Sequence, residues 1–351
     1  MTMVYKVVDN LAIDIDIYLP TPPHARDSRP KCPAVVYFHG GSLVVGNRKS
    51  WFPTWLHQRV VSSGMAFISA DYRLIPPSTG HDILSDVKDL FKFLQDGVNP
   101  RIRELTLDQP SFEIASDAIA VAGSSAGGLC AYLAAIHASP QPKAVLSLYG
   151  MGGNLLTGQY LDKKLKPFFR GRELLDIADF AEFVHPASAH LPPLADSPLA
   201  YHPPTYHIPG YPANPRMLAG RLYLQTGTFL DYYTGQHEPS LSVALVSTRQ
   251  DVDPPKEEVI PVQHRILFPQ FCVSADLPPM FIIHGSTDTA VFLDESQRLH
   301  GLLENAGVRS TLRVVKDKEH SFDYDPTAED EFGGPGGLFD EAVNFLKSSL
   351  F

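Results

Sequence analysis

The stretch AIAVAGSSAGGLCAYLAAIHAS, residues 118–139, passes from a strand pattern to a helix pattern within a few residues, and few folds accommodate that. Residues 118–124 are a short apolar run rich in Ala, Ile and Val, the pattern of a strand buried on both faces. Residues 126–139 are small and apolar, of helix length, and free of proline until Pro140. Ser125 stands at the apex of the turn between them. A GxSxG turn in this setting strains the serine backbone and lifts its hydroxyl above the sheet edge. Gly123 and Gly127 flank it because a Cβ there collides with the neighbouring strand or helix. The same letters occur in ordinary turns. The strand before and the helix after mark Ser125 as a candidate nucleophile.

The rest of the chain repeats the rhythm. Residues 12–20 alternate apolar and acidic and read as a half-exposed antiparallel strand. Residues 33–41, 65–73, 143–150, 278–285 and 310–317 read as strands. Residues 81–97, 294–307 and the C-terminal GLFDEAVNFLKSSLF read as helices. Strands alternating with helices predict an α/β fold with a mostly parallel sheet covered on both faces. Between residues 151 and 275 the rhythm breaks. This segment holds 15 of the 31 prolines and two helical patches, 173–183 and one opening at Asn214–Pro215. It reads as an insertion over the sheet, with residues 1–150 and 276–351 as the core. The acidic, glycine-rich stretch 323–337 reads as a solvated loop.

Composition narrows the function classes. A net charge of −10 with no long basic run argues against nucleic acid as a partner. Three cysteines, none closely spaced, indicate neither a disulfide framework nor a zinc site. No run reaches transmembrane length and MTMVYKVVDN has no apolar signal core. These features predict a cytoplasmic protein with no membrane partner; a homodimer stays open.

A serine hydroxyl needs a base, the base an orienting acid, and the oxyanion a set of donors. In an open α/β sheet these groups sit at the C-terminal ends of strands. The acid candidate is Asp288, in IIHGSTDTAV after strand 278–285; Asp294 and Glu295 are alternatives at a helix start. The base candidate is His320, in VVKDKEHSFD after strand 310–317. One histidine among 14 says little, but the order Ser, Asp, His matches the α/β-hydrolase arrangement. HGGSLVVG, residues 39–46, follows a strand and offers backbone N–H groups to a developing oxyanion.

Taken together, HGGS, DYR (71–73), GSSAGG, HGSTDTAV and EHSFD resemble the hormone-sensitive-lipase-like family of α/β-hydrolases, from about residue 15 to the C-terminus. The resemblance implies an eight-stranded, mostly parallel sheet, a helical cap formed by 151–275, and carboxylic ester hydrolysis without metal or cofactor. It implies Ser125 as nucleophile, His320 as base, Asp288 as its partner, and the backbone N–H groups of Gly41, Ser42 and Ala126 as oxyanion donors. Two positions depart from the family pattern. Ser42 replaces the third glycine of HGGG, and Ser124 replaces the aspartate before the nucleophile. A small ester, lactone or thioester is the expected acyl substrate. An acyltransferase, amidase, formamidase or cyclase uses the same residues, and a non-catalytic binding protein shares the fold. Phe168, Phe169, Phe180, Tyr223 and Phe229 are the pool from which a cap lining would be drawn.

Overall fold

A computed structural model describes residues 1–21, 29–106, 112–208, 210–249 and 257–351. Its centre is one eight-stranded sheet among the described residues: β1 (Thr2–Val8), β2 (Leu11–Tyr18), β3 (Lys31–Phe38), β4 (Ala66–Ala70), β5 (Glu113–Ser124), β6 (Val145–Leu148), β7 (Met280–Gly285) and β8 (Ser310–Val315). The strand order is β1-β2-β4-β3-β5-β6-β7-β8. β1 and β2 pair antiparallel, as do β2 and β4; every other neighbour is parallel. The inner parallel strands β4, β6 and β7 are buried along their whole length because both their faces are covered, whereas β8, at the edge, is partly exposed. Helices Gly80–Asp96 and Ala126–His137 cover one face; Thr54–Ser62 and Leu338–Leu350 cover the other.

Several sequence expectations change in the tertiary setting. β2 is not half-exposed: Ile13, Ile15 and Ile17 enter the core, and Asp16 is buried. Its acidic side closes on Arg48, which lies 3.4 Å from Asp14, 3.1 Å from Asp16 and 2.5 Å from Asp71. β1, formed by the unassigned N-terminus, supplies the outer partner that covers it. The stretch 323–337 is not a plain solvated loop. It includes the helix Ala328–Phe332, and Asp323 is buried, accepting from Trp55 Nε1 (2.9 Å) and Tyr149 Oη (2.6 Å). Residues 173–183 contribute only a 3₁₀ segment, Ile177–Phe183.

The patch opening at Asn214–Pro215 forms the helix Arg216–Thr226, and Asn214 Oδ1 accepts from the Arg216 amide (3.1 Å). Arg216 is buried and its guanidinium donates to the carbonyls of Val44, Ile75 and Pro76. One side chain thus pins this helix to the loops after β3 and β4. Among the described residues no helix is long and apolar enough to cross a membrane.

Candidate active site

Ser125 has φ 53° and ψ −122°, the strained conformation expected of the sharp turn between β5 and the helix Ala126–His137. Backbone bonds hold it there: its N–H donates to Leu148 O (2.9 Å) and its carbonyl accepts from Gly128 and Met151 (2.9 Å each). The glycines are sterically required. A Cβ added to Gly123 would lie 2.1 Å from Gly127 O, and one added to Gly127 would lie 2.0 Å from Phe38 O. Both obstacles are backbone and cannot swing aside. Gly127→Ala is therefore expected to cost about 3 kcal/mol or more of stability, read as a lowered denaturant midpoint; a native midpoint would contradict the steric account.

The side chains named from sequence meet. His320 Nε2 lies 3.0 Å from Ser125 Oγ, and His320 Nδ1 lies 2.7 Å from Asp288 Oδ2. Asp288 Oδ1 accepts from the amides of Ala290 (2.9 Å) and Val291 (3.0 Å). Burial by itself would raise the Asp288 carboxyl. His320 beside it and the hydrogen bonds from His284 and His320 outweigh that and hold it well below the usual carboxylate range. His284 is a neighbour that sequence reasoning missed. Its Nε2 lies 3.2 Å from Asp288 Oδ2 and 2.9 Å from Val291 O, while Nδ1 contacts Ser296 Oγ at 2.7 Å. Its spacing of four residues before Asp288 was visible, but spacing alone does not separate it from the other histidines.

The HGGS turn abuts the nucleophile: a Cβ on Gly40 would sit 3.2 Å from Ser125 Cβ. Gly41 and Ser42 follow with φ of 113° and 54°, and both line the cavity at Ser125. Ser42 thus takes a left-handed conformation that glycine adopts more readily. The space its side chain occupies is vacated by Gly220 of the Arg216–Thr226 helix, where an added Cβ would meet Ser42 Cβ at 2.4 Å. Ala126 is buried at the first turn of the helix behind Ser125, so its amide belongs to the positive end of that helix dipole. His39, at the start of the turn, is buried. Burial pulls its pKa down to about 4 despite the bond to Gly40 O, so the ring is neutral near pH 7. Tyr72 of the DYR stretch stacks on it (4.5 Å between centroids) and donates to its carbonyl (2.8 Å). Ser124 bonds Tyr37 Oη at 2.7 Å, which answers the question raised by the absent aspartate: a neutral pair holds the residue before the nucleophile.

A cavity of about 220 Å³ opens at Ser125 and His320. Phe169, Arg170, Arg172, Tyr201, Pro212, Met217 and Leu218 line it from residues 151–275. Of the aromatic pool drawn from sequence, only Phe169 is among the lining residues; Phe180, Tyr223 and Phe229 are buried in the core of this segment.

The alternative acids do not reach His320. Asp294 is exposed, and Glu295, 1% exposed, accepts from Tyr160 Oη (2.5 Å) and the Gly152 amide (2.7 Å). Burial raises the Glu295 carboxyl from 4.5 to about 8, against these two bonds, which lower it. Between those values the folded protein keeps a proton that the unfolded chain has released. Stability attributable to this group is complete below pH 4.5 and declines as pH rises toward 8. Its size is on the order of a few kcal/mol. Glu295→Gln is expected to flatten the fall in melting temperature between pH 5 and 8; an unchanged slope in the variant would contradict the assignment.

The family model described as alpha/beta hydrolase fold matches residues 35–206. Over 355 residues, covering 99% of this chain, the sequence is 28% identical to the non-reducing polyketide synthase prhL of Penicillium brasilianum. The chain spans only about 14% of the length of that relative. It is 30% identical over 119 residues to the protein named Probable carboxylesterase M8 of Phoma sp., covering 33% of this chain and 37% of the relative. The butyrate-bound esterase Est2 of Thermogutta terrifontis superposes with a TM-score of 0.55 at 18% identity, covering 99% of this chain and 92% of the other.

Proposed function

From the α/β-hydrolase fold as premise, we propose that this chain is a serine hydrolase of carboxylic esters and thioesters, of the hormone-sensitive-lipase-like type. The single observation that carries the reading is the unbroken contact from Asp288 through His320 to Ser125 at the wall of the cavity. In the first step Ser125 Oγ adds to the acyl carbonyl while its proton passes to His320 Nε2. The oxyanion so formed lies toward the amides of Gly41, Ser42 and Ala126. Collapse expels the alcohol or thiol, which takes the proton from His320, and leaves an acyl ester on Ser125. Water then adds, gives a proton to His320, and the acid departs as the proton returns to Ser125. Asp288 stays ionised throughout and keeps the Nδ1 proton in place.

The carboxylesterase relative and the butyrate-bound esterase support ester hydrolysis. The match to polyketide synthases over nearly the whole chain favours a second reading, in which the acyl group is of polyketide origin and arrives as a thioester. The same acyl-enzyme then passes to water, or to an alcohol or amine in place of water. The test is labelling of the native protein with a fluorophosphonate, located by mass spectrometry, together with a panel of oxygen esters, thioesters and amides. Label on Ser125 and turnover of esters or thioesters are expected. Absence of both would overturn the reading.

A further inference from the structure

Two arginines line the 151–275 side of the cavity in a protein of net charge −10, and a third lies within electrostatic reach of one of them. Arg170 and Arg172 are exposed, yet both line the cavity with Ser125, so they stand where it opens to solvent. Arg221 lies on the same helix as the lining residues Met217 and Leu218, one turn further on. It is 8% exposed, its Nε has no hydrogen-bond partner among the described residues, and it lies within electrostatic reach of Arg172 and Tyr211. Burial, then repulsion from Arg172, pulls its pKa down. Among the described residues none of these three guanidiniums has a carboxylate partner. Arg48, Arg59, Arg73, Arg103 and Arg313 all do. Asp317 and Glu319 line an adjoining cleft with Arg170, but neither forms an ion pair with its guanidinium, and Glu319 accepts from Thr289 and the His320 amide.

The backbone aims this cluster. Residues 168–172 form a closed loop, with Phe168 and Arg172 exchanging backbone bonds of 3.1 and 2.9 Å. Phe169 and Arg170 at its tip have φ of 51° and 64°, uncommon for residues with a Cβ. The Arg170 amide donates to Thr289 Oγ1 (2.9 Å), the residue after Asp288. The loop bearing two of the cations is therefore tied to the loop of the candidate acid. Like charges brought together without counter-charges are unfavourable unless an anion joins them. Strained backbone concentrates where ligands are held.

We infer that this side of the cavity is an anion subsite, in which Arg170, Arg172 and Arg221 receive a carboxylate or phosphate group carried by the substrate. The inference rests on the acyl-enzyme reading for the position of the scissile carbonyl. An arginine fork presents paired donors to either kind of anion.

Two matched pairs of probes test it and tell the anion's source apart. 4-Nitrophenyl hemisuccinate against 4-nitrophenyl butyrate places the charge on the acyl group. Butyryl-coenzyme A against the butyryl thioester of N-acetylcysteamine places it on the leaving group. In Arg170→Gln/Arg172→Gln the ratio of kcat/KM, anionic over neutral, is expected to fall about tenfold or more in one pair. In the native protein that ratio should shrink between low and high salt, because both side chains are exposed. A fall in the first pair assigns a carboxylate on the acyl chain, and in the second a phosphate on the carrier. Arg221→Lys, which keeps the buried charge but loses the fork, should lower the same ratio. Kd values for the four uncleaved probes on Ser125→Ala protein, with and without the double substitution, read the subsite without turnover. Ratios unmoved in both pairs, in rate and in binding, would overturn the subsite. Anionic preference in binding with no turnover of any probe would count against the hydrolase reading and leave the subsite standing.

Discussion

Ser125→Ala is expected to lower kcat by on the order of a thousandfold or more, with fluorophosphonate labelling abolished and the fold retained. The reasoning is local. The turn is held by bonds from and to the Ser125 backbone, to Leu148, Gly128 and Met151, and none of them involves Oγ. The hydroxyl contacts His320 Nε2, so its removal deletes the attacking atom and one hydrogen bond. The cavity and the HGGS turn stay as they are, so KM for esters should move far less than kcat. An alanine variant that keeps near-native esterase activity would remove Ser125 as the nucleophile.

A second large loss is expected for Asp288→Asn, on the order of ten-thousandfold in kcat. The two amides of Ala290 and Val291 that donate to Oδ1 dictate how the asparagine sits. Its carbonyl oxygen satisfies them, which turns the NH₂ group toward His320 Nδ1. Nδ1 must then accept, the ring proton moves to Nε2, and Nε2 no longer takes a proton from Ser125. His284 Nε2, already donating to Val291 O, faces the same NH₂ and loses an acceptor. A stability cost of about 1 kcal/mol is expected beside the catalytic one. Because the Asp288 carboxyl is held well below its usual range, it stays ionised from pH 5 to 8. Asp288 should therefore add no ionisation of its own to the native kcat/KM profile over that range. Activity surviving in Asp288→Asn would remove Asp288 as the orienting acid.

Much of this site was legible in the chain. Strands buried on both faces need continuous apolar runs, and β3, β5 and β7 have them. Groups that act from strand ends follow such runs directly, which is how Ser125, Asp288 and His320 could be named together. Edge elements were harder. β1 alternates because one of its faces packs toward the helix Gly80–Asp96, and β2 is closed by Arg48, which lies some thirty residues further along the chain. The helix Ala328–Phe332 lies among acidic and glycine residues whose local preferences favour a loop.

Local sequence determined the turn geometry at Ser125, because two glycines and a strand–helix junction impose it within six residues. Tertiary structure alone decided what surrounds it. That Gly220 makes room for Ser42, that Tyr37 partners Ser124, and that Glu295 faces Tyr160 rather than His320 are contacts between residues far apart in the chain. So is the approach of Arg221 to Arg172. Periodicity reports which face of an element is apolar; it carries no information about which distant side chain will meet that face, and the surroundings of this cavity are set by those meetings.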